Sequence, residues 1–135
     1  LQAKAPIKLD KKFYATLFGE VGGGSPTEVA AVASVFLNRI DKEGYEKALK
    51  GSSAYRFKSK EYLKAFSGNM TEFEKKVFER NAGIADTLVL NPDKILPFTH
   101  MENVQAFGDP TWLGDMQSYQ DIGRQRFYVR KQDAK

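Results

Sequence analysis

The chain has 135 residues, of which 41% are hydrophobic, and it carries a formal net charge of +4. This length fits one hydrophobic core of ordinary size, so we expect a single domain over residues 1–135, with an ordered core over roughly residues 9–130. The absence of cysteine excludes disulfide frameworks, thiolate nucleophiles and Cys-ligated zinc, and the lone histidine, His100, excludes a His-rich metal centre. We therefore predict neither a metal nor another cofactor.

The charge and the apolar pattern also limit the classes of partner. A mild positive excess favours an anionic partner such as a cell-wall polymer. A nucleic-acid partner is not expected, because the basic tail lacks interleaved aromatic residues and a recognised motif. No apolar run approaches the ~20 residues that a membrane span needs. Because the chain begins at Leu1 rather than Met, we expect a processed product or a part of a longer polypeptide, such as a virion protein.

The first predicted helix begins at Asp10, whose side chain can cap it, with Leu9 packing against Tyr14. It should end near Glu20, because each of the three glycines at 22–24 disfavours a helix by roughly 1 kcal/mol. Glu20 is therefore expected in the last turn of an aromatic-rich helix, beside a glycine loop.

The second predicted helix has a clear beginning. Ser25 can cap it, Pro26 suits the first helical position, and Glu28 stands three residues after the cap, as in a capping box. This capping box accounts for Glu28. Apolar residues then recur at helical spacing, which predicts a central buried helix. They are Val29, Val32, Ala33, Phe36 and Ile40.

Three further helices are predicted before residue 90. Residues 45–50 and 59–66 favour short helices, and residues 52–58 between them favour a loop or a poor hairpin. A second capping-box pattern opens a long helix over 71–89. Its inward face is expected to contain Phe73, Val77, Asn81, Ile84 and Leu88.

The chain changes character after residue 92, where prolines and turn-forming residues predict a long irregular segment. Apolar and polar residues then alternate over 124–130, which predicts a half-buried strand with Tyr128 opposite the apolar face and toward the cleft. Residues 96–101 are a candidate partner strand. Together the elements predict an α+β fold that is mainly α, with a small β-hairpin or sheet.

Glu20 is the candidate catalytic residue. The negative end of the helix dipole disfavours a carboxylate in the last turn, and so favours the protonated form that a general acid needs. The neighbouring glycines leave room for a bulky ligand, because they present no side chain. By position alone, such a residue is more often an ordinary surface glutamate beside a flexible loop.

Two runs carry a resemblance to a known family. Ala-Thr-Leu-Phe-Gly-Glu at 15–20 and Ala-Ala-Val-Ala-Ser-Val-Phe-Leu-Asn-Arg at 30–39 resemble the signature of the SleB-type cell-wall hydrolases, which include spore-cortex-lytic enzymes and bacteriophage relatives. The tail at 122–128 resembles the end of that domain, and the stretch at 99–112 is similar to the phage-like branch. The resemblance covers roughly residues 13–128, with its matches in the same order.

The resemblance implies a lysozyme-like fold and cleavage of the bond between N-acetylmuramic acid and N-acetylglucosamine in peptidoglycan. It also implies that Glu20 is the sole essential acid of a lytic transglycosylase, which forms a 1,6-anhydro product. Such a protein acts on the bacterial cell wall, in the periplasm, outside the cell or on a virion. Val-Gly-Gly-Gly at 21–24 departs from the Ala-Arg-Gly-Glu-like run of the bacterial members, which removes an expected substrate contact beside Glu20.

Two alternatives stay open. A hydrolytic muramidase would need a second carboxylate about 5 to 9.5 Å from the first, and Glu102, Asp109 and Asp115 are candidates in the irregular segment. A wall-binding or virion structural module would keep the fold without the activity.

Substrate-binding residues are expected around Glu20. The resemblance suggests Tyr55 and Phe57 as aromatic lining, although aromatic residues in loops are as often part of a minor core. Asn38 and Arg39 match the family's Asn-Arg pair and are expected to form a buried polar network that holds the catalytic helix, with direct sugar binding as the alternative. The polar cluster and the aromatic residues that could contact sugar are Thr99, His100, Glu102, Asn103, Trp112 and Tyr128.

Overall fold

The computed structural model describes residues 7–102 and 113–131. In this part of the chain, six α-helices lie beside a small sheet. The helices are α1 (Lys11–Val21), α2 (Pro26–Glu43), α3 (Tyr45–Lys50), α4 (Ser53–Arg56), α5 (Lys60–Ser67) and α6 (Glu72–Leu90). The strands are β1 (His100–Glu102), β2 (Met116–Ile122) and β3 (Gln125–Arg130), with short 3-10 turns at Pro92–Lys94 and Leu113–Asp115. The predicted class, α+β and mainly α, is confirmed.

The predicted helix starts are confirmed by their caps. The Asp10 side chain accepts the N–H of Phe13 at 3.2 Å, and the Ser25 hydroxyl accepts the N–H of Glu28 at 3.2 Å. The long helix α6 has a complete capping box, in which Thr71 and Glu74 bond to each other's backbone N–H groups at 3.1 and 2.9 Å.

The region around residues 52–58 was wrongly predicted as a loop or hairpin. It contains the one-turn helix α4, which begins because the Ser52 hydroxyl accepts the N–H of Tyr55 at 3.3 Å. The inward position of Phe73 was also wrong, since its side chain is 74% exposed. Phe73 lies one turn before Val77. Val77 is the first residue on this face of α6 that packs against a core cluster.

The main core surrounds α2, as its apolar pattern predicts. Most of α2 from Val29 to Leu37 is buried, and it packs against α1, α3, α6 and the sheet. A smaller cluster joins α1 to α5 through Ala15, Phe18, Tyr62 and Ala65. The end of α1 is thus held from two sides, which fixes the direction in which Glu20 leaves the helix.

The sheet is antiparallel with the order β1-β3-β2. Strand β3 confirms the predicted terminal strand, but its burial does not alternate: Phe127 and Tyr128 are both fully buried. Phe127 packs on Phe98 with ring centroids 5.4 Å apart, whereas the Tyr128 ring lies 6.1 Å from that of Tyr119. A central strand with a ring packed on each face loses the half-buried pattern.

The other two strands differ from the expected pairing. Of the predicted partner strand over 96–101, only residues 100 and 101 pair with β3 as a strand, together with Glu102. The carbonyls of Leu96 and Phe98 instead accept the Asn38 side-chain amide at 2.7 and 2.8 Å. Strand β2 lies in the segment that was predicted to be irregular. The sequence did not reveal this strand because most of its side chains are exposed and it has no apolar alternation.

Candidate active site

A cavity of about 850 Å³ opens between the α1–α2 loop, the α3–α4 turn and the sheet. It is lined by Glu20, Val21, Gly23, Gly24, Glu28, Val35, Phe36, Arg39, Gly51, Ser53, Arg56, His100, Met101, Glu102, Arg124 and Gln125. This volume lies in the range typical of ligand pockets, and the wall mixes charged groups with bare glycine backbone.

Glu20 lies in the last turn of α1 and is half-buried at the cavity wall. Its Oε2 accepts two hydrogen bonds, one from the Ser52 hydroxyl and one from the backbone N–H of Ala54 at 3.3 Å. In the described part of the chain, no protein group donates to Oε1. One carboxylate oxygen is therefore held by the protein, and the other is left to act on a ligand.

Ser52 and Arg56 are candidate site residues that the sequence reasoning missed, and Ser52 is the one that contacts Glu20. Its hydroxyl oxygen caps α4 while its proton is donated to Glu20, and its side chain is buried. A serine directly after Gly51 and before an aromatic run is a possible cap signal, but the expectation of a loop concealed it. Gly19 permits this contact, since a Cβ there would lie 2.8 Å from the Cβ of Ala54 on α4.

The glycine loop after α1 is held by two side chains of α6. Asn81 donates to the carbonyl of Gly22 at 2.9 Å, and Arg80 donates to that of Gly24 at 2.6 Å. The Asn81 carbonyl oxygen in turn accepts Arg80 at 3.0 Å. The space where a Cβ of Gly23 would lie is open. The loop thus forms a fixed wall of backbone with no side chain projecting from Gly23.

Glu28 is a second carboxylate at the cavity, and the prediction that a capping box accounts for it was wrong, because Ser25 caps α2 but the Glu28 side chain does not bond back to the cap. Its backbone N–H is bound by Ser25, but its carboxylate turns to the β2–β3 turn, where Oε2 accepts the N–H of Arg124 at 3.3 Å. Only 8% of the residue is exposed. Gly123 has a φ of +61°, and a Cβ there would lie 2.4 Å from the Glu28 carboxyl carbon. Glycine at this turn therefore makes room for the carboxylate.

His100 has a hydrogen-bond partner on each ring nitrogen. Nε2 lies 3.0 Å from Nη2 of Arg130, and Nδ1 lies 3.0 Å from the Thr99 hydroxyl oxygen. A guanidinium can only donate, so Nε2 accepts and the proton of the neutral ring is on Nδ1. Burial, followed by the charges of Arg130 and Arg39, lowers the pKa of His100 to about 4. At neutral pH it is an uncharged hydrogen-bonding group of the wall.

The other predicted site residues are divided between the cavity and the rest of the protein. Glu102 lines the cavity with Glu20 and His100. Among the described residues, four others lie away from its wall. Tyr55 packs on Tyr62 and donates to Glu46, Phe57 is 73% exposed, and Thr99 and Tyr128 are buried. Tyr128 does not point toward the cleft as expected.

Three residues that the sequence suggested for the site, Asn103, Asp109 and Trp112, lie outside the described residues. Asp115, the remaining candidate for a second carboxylate, is described; it is exposed and is not part of the cavity wall. Glu28 and Glu102 are therefore the carboxylates that the described residues bring to the same cavity as Glu20.

Asn38 has a structural role, as the sequence predicted, but it holds the segment before β1 and not the helix that carries Glu20. By binding two backbone carbonyls it ties the segment before β1 to the central helix. Arg39 is placed differently from Asn38: its Nε donates to Glu43 at 3.1 Å, and the residue also lines the cavity. The pair thus divides into one residue that holds the sheet and one that faces the site.

No known protein family, curated protein or solved structure matches this chain significantly. The SleB-type resemblance consequently stays a prediction. Within residues 7–102 and 113–131, no helix is long and apolar enough to cross a membrane, and no three acidic or histidine side chains are grouped so that they could hold a metal ion.

Proposed function

We propose that this chain is a peptidoglycan lytic transglycosylase of the SleB type, which cleaves the bond between N-acetylmuramic acid and N-acetylglucosamine without a cofactor. The observation that carries the proposal is the state of Glu20, a carboxylate at the wall of a large cavity with one oxygen held by Ser52 and Ala54. The glycan strand of the bacterial cell wall is the substrate, and the enzyme acts where that wall is exposed to it.

The chemistry needs only this one carboxyl group. Protonated Glu20 gives its proton to the glycosidic oxygen as the bond breaks, and the carboxylate then takes the proton of the muramic acid 6-hydroxyl. That oxygen attacks the anomeric carbon and closes the anhydro ring. The Ser52 hydroxyl and the Ala54 N–H stabilise the carboxylate between the two transfers, because both donate to the same oxygen.

The walls of the cavity suit a wide and polar substrate. Gly23 lines the cavity with Glu20 and has open space where a side chain would lie, so two linked sugar rings can approach the acid from that side. The carboxylate of Glu102, which lines the same wall, offers acceptor oxygens to hydroxyl and acetamido N–H groups. These contacts would orient the strand without taking part in the proton transfer.

Digestion of purified sacculi tests the proposal. The parent protein is expected to release products ending in 1,6-anhydromuramic acid, identified by mass spectrometry. Glu20→Gln, which keeps the size and removes the acid, should slow release by about 10²- to 10⁴-fold. Glu79→Gln is the matched control, because Glu79 is an exposed glutamate of α6 away from the cavity. If Glu20→Gln digests sacculi as fast as the parent, the assignment of Glu20 as the acid is wrong. If the parent itself releases no products, the domain is a wall-binding or structural module instead.

Glu28 favours a second candidate function, hydrolysis by a muramidase mechanism. It is a second carboxylate on the wall that Glu20 shares, as a hydrolase requires. This candidate predicts reducing ends in the digest and a comparable loss of rate in Glu28→Gln and Glu20→Gln. The transglycosylase proposal instead predicts anhydro ends from Glu28→Gln, released at a rate reduced only by looser packing of the β2–β3 turn.

A further inference from the structure

One short segment contacts both the candidate acid and two arginines. Residues 50–54 include the two donors to Glu20 Oε2. The carbonyl of Lys50 accepts Nη1 of Arg56 at 3.4 Å. The guanidinium of Arg39 lies against Gly51, where an added Cβ would be 3.1 to 3.2 Å from Cζ and both terminal nitrogens. Both arginines line the cavity, so the segment brings two positive charges to the wall beside Glu20.

The two guanidiniums have more donors than the protein uses. The Nε of Arg39 donates to Glu43, and in the described part of the chain no acceptor is bound to its Nη1 or Nη2. Arg56 has the backbone carbonyl and the ring of Phe57, 5.0 Å away, but no carboxylate partner among residues 7–102 and 113–131. Guanidinium N–H pairs match the two oxygens of a carboxylate, which makes an anion the best ligand for this wall.

The structural need for Arg39 does not explain its place at the cavity. Its ion pair with Glu43 spans one turn of α2 and uses a single nitrogen, and such pairs four residues apart on a helix contribute little stability. Because Gly51 has no side chain, the guanidinium of Arg39 can lie against it at the cavity wall. A larger residue at this position would displace the guanidinium.

We propose that Arg39 and Arg56 form a carboxylate-binding subsite beside Glu20, and that it selects glycan strands by their negative charge. This inference rests on the proposed function for the identity of the substrate. Two groups on such a strand supply the carboxylate: the free lactyl group of a strand without peptides, and the carboxylates of an attached stem peptide.

Binding of three disaccharide fragments to the Glu20→Gln protein, measured by calorimetry, tests the subsite and separates these sources. The first fragment carries a free lactyl carboxylate, the second a stem peptide, and the third a neutral lactyl amide. We expect one or both charged fragments to bind more tightly than the amide. Adding Arg56→Gln should weaken only the charged fragments, by at least about tenfold. Arg39→Lys, which keeps the charge but loses the paired donors, should weaken them by a smaller factor.

Lys47→Gln is the matched control, because it removes one positive charge from the exposed side of α3 and leaves the cavity unchanged. Equal weakening of all three fragments by Arg56→Gln would overturn the subsite. Cleavage by the parent with no preference for charge would also overturn it and leave the proposed function standing. Charge-selective binding by a protein that does not cleave glycan would support the subsite and overturn the proposed function. If the protein neither binds the fragments nor cleaves glycan, both proposals are rejected.

Discussion

The hydroxyl of Ser52 donates to Oε2 of Glu20, so the residue that begins helix α4 also holds the candidate acid at the end of α1. The same hydroxyl oxygen accepts the N–H of Tyr55. A single side chain thus links a local folding signal to the geometry of the site, and its loss has two separable effects.

Ser52→Ala is expected to lower both stability and activity. Loss of the cap should reduce the free energy of unfolding by about 1 kcal/mol. Loss of the donor to Glu20 should reduce the rate of glycan cleavage by about tenfold or more, since charge-assisted bonds are the stronger class. Ser59→Ala is the control, because Ser59 caps α5 in the same way without contacting Glu20. Thermal unfolding and sacculus digestion of both variants are the measurements. Equal losses of cleavage rate in Ser52→Ala and Ser59→Ala would contradict the assignment.

Gly19→Ala is expected to force α1 and α4 apart. Its Cβ would lie 2.8 Å from the Ala54 Cβ, which belongs to the neighbouring helix and cannot rotate away. We expect a loss of about 1 to 3 kcal/mol in the free energy of unfolding. The matched change Gly83→Ala, in the middle of α6 with open space around it, should stabilise the protein by about 0.5 to 1 kcal/mol. Denaturant unfolding is expected to give a lower free energy of unfolding for Gly19→Ala than for the parent, and a higher one for Gly83→Ala.

Asn81→Ala removes the side chain that fixes the glycine loop. The amide is buried and joins the carbonyl of Gly22 to the guanidinium of Arg80, so its loss leaves buried groups unpaired. We expect about 1 to 3 kcal/mol of destabilisation and a higher KM for glycan, because the cavity wall is no longer held. Asn69→Ala, at an exposed position, should change neither quantity. An unchanged KM in a folded Asn81→Ala protein would show that the loop is fixed by other contacts.

His100 predicts a defined acid sensitivity. Its folded pKa is about 4, whereas the ordinary value is 6.5, because of its burial and the nearby charges of Arg130 and Arg39. As pH falls below 6.5, the unfolded chain binds a proton that the folded chain does not, so stability declines until about pH 4. His100 is the only histidine, so it is the main source of the decline in the upper part of this window, whereas the ion-paired carboxylates of Glu74 and Asp121 contribute toward its acid end.

The test compares the free energy of unfolding of the parent and of His100→Asn from pH 8 to pH 4. At pH 5 the parent should have lost about 1 kcal/mol more than the variant, relative to their values at pH 8, because solvent screens part of the effect on this half-buried ring. Parallel curves for the two proteins would mean that the imidazole titrates in the folded state as it does in the unfolded chain.

The helix boundaries were accessible to sequence reasoning because capping is local. Asp10, Ser25 and Thr71 each bind a backbone N–H three residues away, so residue type and spacing are enough to reveal them. The position of Glu20 at the end of α1 followed in the same way. The apolar period of α2 likewise predicted the buried central helix, whose residues 31–37 are buried on all sides.

Tertiary structure decided which groups meet Glu20 at the cavity. Ser52 is 32 residues from Glu20 in the chain, and the N–H that binds the Glu28 carboxylate is 96 residues from it. Such contacts depend on how helices and strands pack, which no local pattern encodes. Glu28 shows the limit most clearly: the sequence determined its place in the first turn of α2, but its flexible side chain can turn toward any neighbour, and only the fold determines which one is there.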